Sequence, residues 1–244
     1  MKKPLFQALS LAGILFSTPA APQTPDFSAT AKYVVSGLNT VSELYEKQTL
    51  TNGDVLTISG VACSDIGLVA SNGSAAFISN ILSKYDNKVK EGLSELTAED
   101  FSRYEGEFLA KNGASETAQR VVVSQILAQG NAKTAGSPTN AEENLRRIGG
   151  VACELKDKNL GNPNELANAD LTKLGHAMAT AVIGIAVAVV DIAITADTAG
   201  VPTAIVGFVS TSWGWDQITT AWEEAKAAWA SSMGRKDMEP EKKG

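Results

Sequence analysis

Histidine and cysteine are almost missing from this chain: one His and two Cys stand among 244 residues. With His176 as the sole histidine, neither a two-histidine zinc site nor an HExxH helix can be assembled. No GxSxG presents a serine nucleophile, no GxxxxGK cradles a phosphate and no SxxK is found. Positive charge is also in deficit, with 21 Lys and Arg against 27 Asp and Glu. Such a chain lacks the footprint for nucleic acid, whose affinity comes from neutralising phosphates with Lys and Arg. Anionic lipid headgroups should repel it for the same reason.

What is present begins with an export pattern. Lys2 and Lys3 precede the apolar run Leu5 to Phe16, too short to span a bilayer, and Thr18-Pro19-Ala20 supplies small residues before a cut. Residues 1–20 are therefore read as a signal peptide, with an uncut N-terminal anchor as the alternative. Cleavage lowers the 21 basic residues to 19 against 27 acidic ones, so the formal charge moves from −6 to −8. An exported chain meets an oxidising compartment, where Cys63 and Cys153 are most simply one disulfide. Closing a loop of about ninety residues stabilises a fold by roughly 4 kcal/mol on the chain-entropy model. The flanks GVACS and GGVACE share a few letters, but the match ends too soon for a repeat.

Residues 21–26 form a proline-rich lead-in, and Asp26 or Ser28 can cap a first helix. Its apolar positions Phe27, Ala31, Val34, Leu38, Val41 and Tyr45 alternate steps of four and three, one face of an α-helix. Thr51-Asn52-Gly53 reads as a turn and Asp54 as the cap of a second helix with Val55, Ile58, Ala62, Ile66 and Val69 inward. VLTIS could instead be a strand. Beyond the break at Ser71-Asn72-Gly73, Phe77, Ile81, Tyr85, Val89 and Leu93 mark another helix. Thr97 to Asp100 is a capping-box variant, Asn112-Gly113 a left-handed stop and Ser115 the next cap, with Val122 and Ile126 behind it. Residues 131–138 are the candidate hinge. Thr139 with Glu142 opens a helix that faces Leu145, Ile148, Ala152 and Leu155 inward, and Gly161-Asn162-Pro163 closes it.

The uncharged run Ala177 to Val190, ending at Asp191, is the least ordinary stretch. Ile183, Ile185, Val187 and Val189 alternate with small residues as a strand would, but the run exceeds a usual buried strand and Asp170 with Thr172 offers a helix start. As a helix it carries a small-residue stripe, Thr180, Gly184 and Ala188, that lets another backbone approach. After Asp197 the chain can turn, and residues 198–215 form a second charge-free arm. Trp215, Trp222 and Trp229 then recur every seven residues. The expectation is an all-α, multi-helix bundle over residues 27–232, wrapped around a hydrophobic C-terminal helical hairpin, with one disulfide and a charged, disordered tail at 233–244.

Three readings compete for the hairpin 177–215. It is the buried centre of a soluble bundle, a permanent membrane anchor, or an element that leaves the bundle for lipid under some condition. A permanent anchor is disfavoured by the absence of Lys and Arg in its turn and by Asp191, which costs about 2.5–3.5 kcal/mol at the centre of a span. In the conditional reading Asp191, Asp197, Trp213, Trp215, Trp222 and Trp229 are the candidate contacts with membrane or partner. Amphipathic helices around a hydrophobic hairpin resemble the plan of colicin-type pore-forming domains, in architecture and without a shared residue motif.

The carboxylate pairs Glu99-Asp100, Glu142-Glu143 and Glu223-Glu224 are each explained by a helix start or a solvated face, although a glycosidase needs no fixed spacing. The reading is thus an exported, non-catalytic interaction or envelope protein of bacterial type, periplasmic or secreted, with a protein partner and no cofactor. A membrane-inserting effector using 177–215 is the alternative, and an enzyme with carboxylate chemistry comes third.

Overall fold

The computed structural model describes residues 25–80, 97–129, 141–157, 171–195, 214 and 217–228. The signal segment, the hinge at 131–138, most of the second apolar arm and the charged tail lie outside them. Every described element is α-helical: α1 (Phe27–Tyr45), α2 (Asn52–Ser71), α3 (74–80), α4 (Ala98–Lys111), α5 (Glu116–Gln129), α6 (Ala141–Asp157), α7 (Leu171–Thr195) and α8 (217–228). No strand occurs among the described residues, so both strand alternatives, VLTIS and 183–190, are resolved as helix.

Local chemistry sets the helix ends. Asp26 caps α1 by accepting from the Ala29 amide at 3.0 Å. The second helix starts earlier than its sequence suggests. Thr51 is the cap, and Asp54 is its reciprocal partner in a capping box rather than the cap itself. The Thr51 hydroxyl accepts from the Asp54 amide at 3.2 Å, and the Asp54 carboxylate accepts from the Thr51 amide at 2.9 Å. Asn52 and Gly53 are therefore already helical. A hydrogen bond from Lys47, followed by those from Thr51, holds the Asp54 carboxyl down to a pKa of about 2. Thr51→Ala should lower the unfolding free energy by about 1 kcal/mol in urea titrations, the usual loss for such a cap.

Thr97 and Asp100 form a second capping box at the start of α4. At its far end Gly113 takes φ +86°, and the amides of Gly113 and Ala114 close on the carbonyls of Ala110 and Leu109, each at 3.0 Å. That is a Schellman stop, which needs the left-handed residue glycine supplies. Asn39 on α1 clamps this corner: it donates to the Gly113 carbonyl at 3.1 Å and accepts from the Ser115 amide at 2.8 Å. Ser115 in turn caps α5 through the Ala118 amide at 3.2 Å.

The amphipathic helices place their apolar faces on α7. Helices α1 and α2 pack along it and against each other, α6 packs on α2, and α4 and α6 also touch α7. The predicted inward residues of α1, α2 and α6 are buried, with the exception of Tyr45, which is half-buried against the His176 ring at 5.3 Å between centroids. Cys63 on α2 is bonded to Cys153 on α6, with the Cα atoms 4.9 Å apart. Gly149 lies beside this bridge. A Cβ there would stand 2.6 Å from Ile66 Cγ2, so α6 approaches α2 closely only because that side chain is absent.

Candidate functional site

The centre of the molecule is α7, whose residues 181–192 are buried without interruption. A helix apolar on one face only would leave the other wet, whereas this one is closed on all sides. Among the described residues two helices, Asn52–Ser71 and Thr172–Ala193, are long and apolar enough to cross a membrane by length and composition. The second has 89 % of its most apolar window enclosed by the rest of the chain, against 39 % for the first. Each fully buried Val or Ile there contributes on the order of 1.5–3 kcal/mol relative to exposure.

The small-residue stripe on α7 is used. A Cβ on Gly184 would run into the Gly214 carbonyl oxygen, and one on Gly214 into the Gly184 carbonyl oxygen. Ala188 completes the crossing, with its amide nitrogen 3.2 Å from where a Gly214 Cβ would stand. The Thr180 hydroxyl instead donates to the His176 carbonyl of its own helix at 2.9 Å. From Gly214 the chain leads into α8, which seals the bundle with Ile218, Ala221, Trp222, Ala225 and Ala228. Trp222 is 7 % exposed and lies under the Arg147 guanidinium, 5.7 Å from its ring centroid. It belongs to this seal and is not open to a partner or to lipid in the closed bundle. Trp213, Trp215, Trp229 and Asp197 lie outside the described residues.

Asp191 is fully buried near the end of α7, and it is not alone. Glu105 on α4 is also fully buried, and Asp65 on α2 is 2 % exposed. Asp65 and Glu105 are not among the residues the sequence singles out, and the signal each carries is only its place beside an apolar face. Asp65 continues the series Ile58, Ala62, Val69 at helical steps of four and three, and Glu105 lies three residues before Phe108. Burial pushes the Asp65 carboxyl up to a pKa of about 7. All three acids are buried in the closed bundle.

The carboxylate pairs noted in the sequence lie on the surface. Asp100 serves the α4 cap and accepts from Arg103 at 2.9 Å, and its pKa is lowered chiefly by the Thr97 hydroxyl and amide. Glu142 pairs with Arg146 at 2.7 Å, Glu143 with Arg147, and Glu223 with Lys226. Exposed pairs of this kind contribute little to stability. His176 has Nε2 3.1 Å from the Lys47 carbonyl oxygen, a structural tie between the start of α7 and the α1–α2 connection. Among the described residues no three His, Cys, Asp or Glu side chains gather to hold a metal ion.

Fold and centre together define a disulfide-bridged helical bundle closed around an apolar helix. No protein-family model matches the chain, and no curated protein or solved structure matches it significantly. The resemblance in plan to colicin-type domains is therefore not carried by a match in fold.

Proposed function

We propose that this is an exported, non-catalytic α-helical protein of the cell envelope, bacterial in type, which works by binding a protein partner without metal or cofactor. The observation that carries the reading is the Cys63–Cys153 bridge. Disulfides persist in oxidising compartments and are rare where thioredoxin and glutathione keep thiols reduced. The export pattern at residues 1–20 supports the same destination. Burial of Asp65, Glu105 and Asp191, and use of Asp54, Asp100, Glu142, Glu143 and Glu223 in caps and ion pairs, favours binding over catalysis.

Fractionation tests this. The full chain, expressed with its N-terminus intact in a bacterial host, should be recovered from the periplasm or medium, shortened at its N-terminus and unreactive to maleimide until reduced. Recovery from the cytoplasm with two free thiols would overturn it.

One observation favours a second reading, delivery of α7 to a membrane: the span Thr172–Ala193 is long enough to cross and holds Asp191 within it. Protonation at low pH relieves a carboxyl in lipid, but it relieves a buried carboxyl such as Asp65 inside the bundle as well. Acid alone is therefore a weak trigger for opening. Dye-loaded anionic vesicles should stay intact at pH 7 and at pH 4.5, with tryptophan emission unchanged on adding lipid. Leakage with a blue-shifted emission would establish the second reading instead.

A further inference from the structure

Asp65 stands where α1 crosses α2. Its Oδ2 has no hydrogen-bond partner among the described residues and points at Gly37 of α1. A Cβ on Gly37 would collide with that oxygen and come within 2.7 Å of Val61 Cγ1, so the missing side chain is the space the carboxyl occupies. Two residues before Asp65, the Cys63–Cys153 bridge fixes α2 to α6 covalently. On the opposite side α1 is held to α2 by packing and, at its start, by the Asn72 amide donating to the Thr30 hydroxyl at 3.0 Å. The two faces of α2 are thus secured unequally.

We propose that Asp65 is a latch on α1: as the neutral acid it fits the Gly37 notch, and as the carboxylate it loosens α1 from α2 while the disulfide keeps α2 on α6. A carboxylate in that notch is a charge almost out of solvent and, among the described residues, without an ion-pair partner. Of the ionic groups on α1, Lys32 and Glu43 lie on its exposed side. On α6, Glu142 and Glu143 are engaged by Arg146 and Arg147, and Glu154 is half-buried. On α7, Lys173 is exposed, His176 sits at the Lys47 carbonyl, and Asp191 is buried. Burial raises the Asp65 pKa from its ordinary 3.8 to about 7, and no charge among the described residues offsets it.

The sign follows from linkage. The closed bundle binds the proton more tightly than the open one, so protonation favours closure. The latch is shut below about pH 4, weakens as pH rises, and reaches its loosest state above about pH 7. Because α1 also packs along α7, loosening it uncovers the apolar central helix. This holds whether the protein works by binding a partner or by entering lipid.

Hydrogen exchange, corrected for intrinsic rates, reads the latch helix by helix in the full oxidised chain. Between pH 5 and pH 8 the opening constant of α1 should rise roughly a hundredfold, with that of α6 changing much less. Asp65→Asn, close in shape and uncharged, should flatten the α1 response. The carboxyl ¹³C shift of Asp65 in the unmodified protein, followed from pH 3 to pH 9, should move near pH 7. The proposal fails if α1 and α6 lose protection together, if α1 is insensitive to pH, if Asp65→Asn leaves the response unchanged, or if the carboxyl titrates near 4.

Discussion

Replacing Cys63 and Cys153 together by serine is expected to lower the unfolding free energy by about 4 kcal/mol, read as a fall in the urea midpoint. The size follows from the 90-residue separation that the bridge closes. Its loss restores freedom to the unfolded chain without removing a buried side chain, since both cysteines are only half-buried. A domain of ordinary stability has about 5–15 kcal/mol in total, so this change removes a large share. Reduction of the unmodified protein should reproduce the shift. A change below about 1 kcal/mol would mean that the bridge constrains the unfolded chain far less than its loop length predicts.

The second large effect runs against helix propensity. Glycine to alanine in a helix interior normally stabilises by about 1 kcal/mol. At Gly150 on α6 the added methyl meets open space, and Gly150→Ala should follow that rule. At Gly184 the same change should destabilise by about 2–3 kcal/mol, because the obstacle is the Gly214 backbone carbonyl and no side-chain rotation can clear it. Thermal unfolding of the pair therefore separates packing from propensity by the sign of the shift. Stabilisation by Gly184→Ala would show that α7 and the backbone at Gly214 do not approach this closely.

Legibility in the sequence depended on how local the deciding force was. Thr97 with Asp100, the stop at Gly113 and the cap at Ser115 are short-range hydrogen-bond patterns, and each was readable from a few letters. The inward faces of α1 and α6 were readable too, since apolar residues at steps of three and four have one place to go. Asp54 misled because Thr-x-x-Asp supports two registers, and the choice rests on reciprocal bonds that letters do not reveal. Length decided correctly between helix and strand for 183–190, where alternation pointed the other way.

Asp65 and Glu105 show the limit more sharply. A lone acid beside an apolar face reads as the edge of that face. Whether it is edge or interior depends on how widely the partner helix covers it, which is a tertiary quantity. The Gly37 notch is likewise invisible until α1 is laid across α2. The stripe through Gly184 and Ala188 was legible as an approach surface, but what approaches it, Gly214, was not.

The central claim is that the chain shelters α7 with its own helices while free in solution. Amide exchange across residues 177–190, measured in detergent-free buffer on the oxidised protein at pH 5, where the Asp65 latch is largely shut, tests this most directly. The account predicts that these amides exchange only through global unfolding, with the slowest rates in the molecule and no added protection from vesicles. Exchange within minutes in buffer, or protection that appears only when lipid is present, would contradict it.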